Sequence, residues 1–304
     1  EPTDFARILD APNVSVRALM YDDHVVSVAL LAEEGNLPED LTRRMYEGER
    51  VAGNMIPDLL TTQLRDEHAG KQLGRRVMRI ATHHAVRNRG LGSNLLSNIE
   101  REFESGVDWL GVSYGGTPRL VDFWASNGYH TVHCSTSRNE RSGEHSLLML
   151  KPTSSAGRDL LDHHTQWFLD RFPGTLTDPL AELDPDVVRR CLRTVEASPA
   201  PDLSRSAWRV LAGAPHGAGL YDTAPEAFAR VALTHLLTRR ADLTASAERL
   251  LVEKTLQRRP WTTVAEDLGY VSTRACMRTL GDVTGALIES YGTEMAKEEY
   301  ERLK

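Results

Sequence analysis

The two halves of the chain carry different hydrophobic patterns. Up to about residue 152, short apolar runs with strand-like character are interleaved with helical periods. VSVRALMY (14–21) and HVVSVALLAEEG (24–35) read as strands, and the Asp22-Asp23 pair between them predicts a hairpin. TDFARILDAP (3–12) predicts an opening helix capped by Thr3. Helices are predicted over 38–49, where Pro38 suits a first turn, and over 56–67. GRRVMRIATH (74–83) reads as a strand. Residues 90–105 put apolar side chains at 91, 95, 96, 99 and 103, one face of a helix. VDWLGVSY (107–114) predicts a buried strand. PRLVDFWASNGY (118–129) predicts a short helix closed by Asn127-Gly128, and YHTVHCS (129–135) and HSLLMLKP (145–152) predict two last strands.

Beyond Pro152 nearly every segment has helical period, from RDLLDHHTQWFLDRF (158–172) to CMRTLGDVTGALIESYG (276–292), with Pro and Gly as punctuation. SSAG (154–157) reads as a linker. The 304 residues are enough for two domains. The expected organisation is an α+β domain over 1–152 followed by an all-helical domain over 153–304, with no internal repeat.

Composition narrows the class. With 40% hydrophobic and 26% charged residues the chain resembles an ordinary soluble protein. No apolar run approaches the roughly 18–20 residues of a membrane span, so no membrane partner is expected. Cys134, Cys191 and Cys276 lie far apart and form no CxxC pair. Neither a metal site nor a disulfide framework is therefore expected, and a cytoplasmic location fits best. The net charge of −7 argues weakly against a nucleic-acid partner, although a local basic patch overrides bulk charge.

The chemistry concentrates in HHAVRNRGLGSNLL (83–96). A strand, then Arg87-Asn88-Arg89-Gly90-Leu91-Gly92, then a helix is the order that brings unpaired N–H groups and a positive dipole end to an anion. Glycines let the backbone approach a pyrophosphate closely. A dinucleotide fold wants G-x-G-x-x-G, and Leu95 occupies the third glycine's position. No G-x-x-x-x-G-K-S/T run for ATP occurs. The remaining R-x-x-G-x-G resembles the acetyl-CoA pyrophosphate loop of the GNAT superfamily of N-acetyltransferases. A Gly-rich turn with a purely structural role is the alternative for the hexapeptide taken alone.

The match extends further. GRRVMRIATHHAVRNRGLGSNLL, VDWLGVSYGGTPRLVDFWASNGY and SRNERSGEHSLLMLKP together resemble the acetyltransferase domain of the tRNA(Met) cytidine acetyltransferase family and its RNA-acetylating relatives. EGNLPEDL and GNMIPDLL upstream, and LLVEKTLQRRPWTTVAEDLGY in the helical half, resemble the same family. The resemblance implies a GNAT mixed sheet flanked by helices and a tRNA-binding helical tail. It implies acetyl transfer from acetyl-CoA to the exocyclic 4-amino group of cytidine in tRNA or another structured RNA. That family also carries a helicase-like ATPase module. The start EPTDFARILD, without Met, fits a cut from a longer protein, so ATP is expected only through a module this chain lacks. Two rival readings remain: a GNAT enzyme acting on a protein or small-molecule amine, and an inactive CoA- or RNA-binding fragment.

By resemblance, Ile80, Ala81 and Thr82 line the pantetheine arm. Arg87, Asn88, Arg89, Gly90, Leu91, Gly92 and Ser93 hold the pyrophosphate. Arg119 and Ser126 make further cofactor contacts, although Arg119 stands where the family has an acidic residue. The cytidine amine needs a base as the tetrahedral adduct forms, and His83, at the end of the pantetheine strand, is the leading choice, with packing or loop capping as its alternative. His84 stands where the family tends to have Pro. Many GNAT enzymes use a Tyr in F-Y-x-x-x-G-F as acid, but here Trp124 takes that position; Tyr114 is a weak substitute and a core tyrosine is its plainer reading. Arg138 and Arg141 face either RNA or solvent. In the tail, Arg239, Arg240, Lys254, Arg258 and Arg259 with Trp261 combine cation and aromatic as RNA-binding surfaces do. Solvated helix faces and one core tryptophan are the alternative, and VAEDLGYVSTRACMRTL (264–280) hints at a helix-turn-helix.

Overall fold

A computed structural model describes residues 10–140, 142–217 and 220–304. The predicted opening helix with Thr3, and Arg141, lie outside the described residues. The chain divides into two compact units, one up to Phe168 and one from Leu169 onward.

The first unit is built on a six-stranded sheet of order β1-β2-β3-β4-β6-β5. The strands are β1 (Val14–Tyr21), β2 (His24–Gly35), β3 (Leu73–Thr82), β4 (Trp109–Gly115), β5 (His130–Arg138) and β6 (His145–Pro152). The hairpin at Asp22-Asp23 forms as its pattern predicts, with Asp22 at φ +50°. Every neighbouring pair is antiparallel except β3 and β4, which are parallel and joined through the Leu91–Phe103 helix. Parallel neighbours need such a crossover connection, since a tight hairpin cannot join them.

Alternation along the strands sends side chains to two faces. Leu110, Val112 and Met149 pack with Leu95, Leu96 and Ile99 of the crossover helix and Trp124 of the Pro118–Ser126 helix. Trp109, Leu148 and Leu150 point the other way, onto Ile56, Leu60, Leu160 and Leu161. The sheet thus lies between two helical layers.

Two expectations need correcting. The predicted 56–67 helix is a short α-turn, Met55–Asp58, followed by a π-helical turn, Leu59–Gln63. The SSAG stretch is no linker: Ser154 Oγ accepts from Gly157 N–H at 3.0 Å and opens the Ser155–Leu176 helix. The first turns of that helix bury Leu160 and Leu161 against the sheet. For this reason the compact units divide at Phe168/Leu169 and not near Pro152.

The second unit is helical throughout its regular structure, as its period predicts. Its core gathers Trp208, Phe228, Val231, Leu250, Leu280 and Leu287 from helices spread along the unit. A charged cluster is centred on the buried Glu248, which accepts from Arg189 Nε at 2.7 Å and also from Arg193. Asp186 accepts from Arg249 Nε at 3.0 Å and Nη2 at 2.6 Å. Among the described residues, no helix is long and apolar enough to cross a membrane.

Candidate cofactor cavity

The site begins with a divergence in the sheet. β3 pairs β4 only over Gly74–Val77 against Trp109–Val112. The antiparallel register with β2 skips Met78, a bulge, because Leu31 opposes Val77 while Leu30 opposes Arg79. A bulge bends and twists its strand. Past it β3 stays with β2 (Ile80 opposite Ala29, Thr82 opposite Ser27), so alternate backbone groups of Met78–Thr82 point away from β2, toward the side where β4 has departed.

The chain then turns sharply into the crossover helix. Asn88 (φ +60°) and Gly90 (φ +76°) both adopt the left-handed region, which costs a glycine nothing and an asparagine little. Gly90 is the N-cap of the Leu91–Phe103 helix, and Asn94 N–H makes the first helical bond, to Gly90 O at 2.9 Å. The N–H groups of Leu91, Gly92 and Ser93 precede that ladder and carry the positive end of the helix dipole. Arg119 Nη2 donates to Asn88 Oδ1 at 2.9 Å, fixing the turn from the Pro118–Ser126 helix. Asn127 Nδ2 donates to Ser93 Oγ at 3.1 Å from the end of the same helix.

Between these elements lies a cavity of about 510 Å³, within the usual range for small-molecule sites. Ile80, Ala81, Thr82, Arg87, Asn88, Gly90, Leu91, Gly92, Ser93 and Arg119 line it, all of them expected cofactor contacts. Leu120 and Phe123 complete the wall. Sequence reasoning missed both, although Phe123 follows Arg119 by four residues, on the same helix face. Arg89 is exposed and does not line the cavity. Ser126 stands apart as well: it lines a separate cavity of about 340 Å³, and its hydroxyl donates to Phe123 O of its own helix at 2.9 Å.

His83 lines a second groove of about 300 Å³, formed with Val25–Val28 of β2, that shares Ala81, Thr82 and Arg87 with the cavity. Its Nδ1 accepts a long bond from Ala85 N–H at 3.4 Å, capping the short turn His84–Val86. The capping alternative therefore has a physical basis, and a proton can enter at Nδ1 only after that bond yields. Tyr114 is corrected to a packing residue: its hydroxyl donates to Met149 Sδ at 2.9 Å and its ring lies 6.0 Å from that of Trp124. Trp124 itself is buried in the core.

The tail residues separate in the same way. Arg239, Arg240 and Arg258 are exposed, Arg258 pairing with Glu226 at 2.6 Å. Lys254 and Arg259 are corrected from surface to interior, and Trp261 is half-buried. Lys254 Nζ donates to Arg259 O at 2.8 Å and sits 4.5 Å from the Trp261 ring centre, and burial lowers its pKa. Arg259 Nε donates to Ala181 O at 2.9 Å. Trp261 packs against the helical core. Arg138 is exposed in the β5–β6 hairpin, with Nη1 donating to Gly143 O at 3.0 Å.

A mixed sheet that parts at a bulge, with a glycine-bounded helix start at the opening, is an arrangement of the GNAT fold. The family model described as GNAT acetyltransferase 2 matches residues 1–106 and 94–154, and the chain belongs to that family. Among curated proteins, the tRNA(Met) cytidine acetyltransferase TmcA of Haloferax volcanii is 55% identical over 100% of this chain and 40% of its own length. The protein of that name from Haloarcula marismortui is 54% identical over 99% of this chain and 39% of its own length. The one from Nitrosococcus halophilus is 34% identical over 99% of this chain and 41% of its own length. The chain thus spans about two fifths of these relatives.

Proposed function

We propose that this chain carries the acetyl-transfer site of an RNA cytidine acetyltransferase, which moves acetyl from acetyl-CoA to the 4-amino group of cytidine in tRNA. The observation that carries the reading is the 510 Å³ cavity at the β3 end, bounded by the Arg87–Ser93 turn. Its dimensions and donors fit a pantetheine arm and a pyrophosphate. The close approach at Gly92, where a Cβ would lie 3.4 Å from Phe123 and 3.5 Å from Thr82 Oγ1, fits a backbone cradle. The relatives that share the full length of this chain, and the name they bear, support the substrate class. The finer assignment, to the tRNA and its cytidine, rests on the same relatives, as does a cytoplasmic setting.

Bound acetyl-CoA supplies an activated thioester carbonyl. The chain's own part is to hold and to orient. The N–H groups of Leu91, Gly92 and Ser93, with Arg87 and Arg119, bind the pyrophosphate. Backbone N–H at Ile80–Thr82 polarises the carbonyl as its oxygen gains charge. The cytidine amine is conjugated with its ring and weakly nucleophilic, so alignment against the thioester contributes most. His83 would take the proton from the adduct nitrogen at Nδ1, trading its long bond from Ala85 for it, and as the C–S bond breaks the CoA thiolate would leave and take up a proton from the imidazolium or from water. Exposed Arg239, Arg240 and Arg258 meet the RNA backbone. Incubation with labelled acetyl-CoA and tRNA, followed by nucleoside analysis, tests the reading: 4-acetylcytidine is expected, and label confined to protein or small amines overturns it.

A further inference from the structure

Away from the cavity, three side chains converge where the turn after Leu64 meets the Ser155–Leu176 helix. Asp66 Oδ2 lies 2.9 Å from His164 Nε2. One ring nitrogen of His163 joins them, and the three donor atoms lie within 4.8 Å of one another. We propose that Asp66, His163 and His164 bind a divalent transition-metal ion, zinc foremost, that fastens the helix to this turn.

The donor chemistry points to that class. Two imidazoles and one carboxylate suit zinc and its neighbours and ill suit calcium or magnesium, which take oxygen donors. Two donors each about 2.1 Å from one ion lie roughly 3.0–3.4 Å apart. The Asp66–His164 pair therefore needs to open only slightly to admit an ion. His163 is exposed, so a change of side-chain rotamer, giving up its edge contact with His164, would close the remaining distance and leave one side of the ion open to water. His164 is fully buried, which fixes the inner wall. The rings of His163 and His164 pack edge to face at 5.0 Å between centres.

The surroundings prepare the carboxylate. Asp66 Oδ1 accepts from His68 N–H at 2.8 Å, which orients the group as an outer-shell partner does. The three cysteines are all buried and offer no competing site.

The test is titration of the untagged chain with zinc by calorimetry, and with cobalt by visible absorption. One ion per chain is expected, with a rise in Tm on loading. Because His163 is exposed, His163→Gln keeps the fold while weakening binding by at least about tenfold and altering the cobalt spectrum. Asp66→Asn acts in the same direction. The His83→Gln/His84→Gln double variant controls for the other adjacent histidine pair and leaves this binding unchanged. Failure to bind either ion stoichiometrically, or equal affinity in the folded His163→Gln variant, overturns the proposal.

Discussion

A Cβ added to Gly92 would lie 3.4 Å from the ring of Phe123, so at the first turn of the crossover helix only that ring stands between Gly92 and the Pro118–Ser126 helix. That separation is ordinary van der Waals distance, which makes the size of a substituent decisive. Gly92→Ala should bind acetyl-CoA within about tenfold of the parent. Gly92→Glu should weaken it at least roughly a hundredfold, about 2.7 kcal/mol, by filling the cradle with a charged side chain. Calorimetric titration checks both, and normal binding by the glutamate variant would remove the cavity from cofactor binding.

His83 and Tyr114 are separable by kinetics. His83→Ala should lower turnover by about a hundredfold with little change in acetyl-CoA affinity, as loss of a general base does. Tyr114→Phe removes only the hydroxyl bonded to Met149 Sδ and should leave turnover nearly intact. Equal rates for parent and His83→Ala would reduce His83 to a cap on the His84–Val86 turn.

The tail arginines should divide by exposure. Replacing Arg239, Arg240 and Arg258 by Ala should weaken RNA binding and make it less sensitive to salt. The slope of log affinity against log salt should fall by about one for each phosphate that is no longer neutralised. Arg259→Ala removes a buried partner of Glu253 and Asp267, at 3.8 and 3.2 Å, and should cost about 3 kcal/mol of stability. An unchanged salt slope in the triple variant, measured by filter binding, would return these residues to solvated helix faces.

Stability of the helical unit should depend on pH in two windows. Burial raises the Glu253 carboxyl to about 7, above its unfolded value of 4.5. Between those values the folded state holds the extra proton, so stability falls as pH rises through the window. The difference is worth about 3 kcal/mol. Glu253→Gln should flatten that fall and raise Tm at pH 8. Asp186, held down by Arg249, and Glu248, where the bonds from His235 and Arg189 outweigh burial, both titrate near 2. They add stability above the unfolded carboxylate range that is lost as pH drops toward 2. Thermal melts from pH 3 to 9 check both limbs, and a Glu253→Gln profile parallel to the parent's would show that the group does not titrate there.

Much of this architecture was legible because local and tertiary signals agree. The β1–β2 hairpin combines strand alternation with a two-residue polar turn, and the crossover helix carries a clean apolar face after its glycines. The loop residues that line the cavity were legible for the same reason: a helix start is a local feature. What escaped depends on partners distant in sequence. Nothing near Arg259 announces that Ala181 O receives its guanidinium, and QRRPW reads as a cation beside an aromatic whether it faces solvent or core. Asp66 and His164 are separated by 98 positions, beyond any spacing rule. The π-helical turn at Leu59–Gln63 keeps helical composition, so periodicity could not distinguish it from an α-helix.

The most direct measurement compares the parent chain and Gly92→Glu for acetylation of tRNA, with nucleosides separated and identified by mass. The parent should yield 4-acetylcytidine in proportion to acetyl-CoA consumed, and Gly92→Glu should yield none. Equal product from both proteins, or acetyl found only on amines outside the RNA while the parent binds acetyl-CoA, would contradict RNA cytidine acetylation at this cavity.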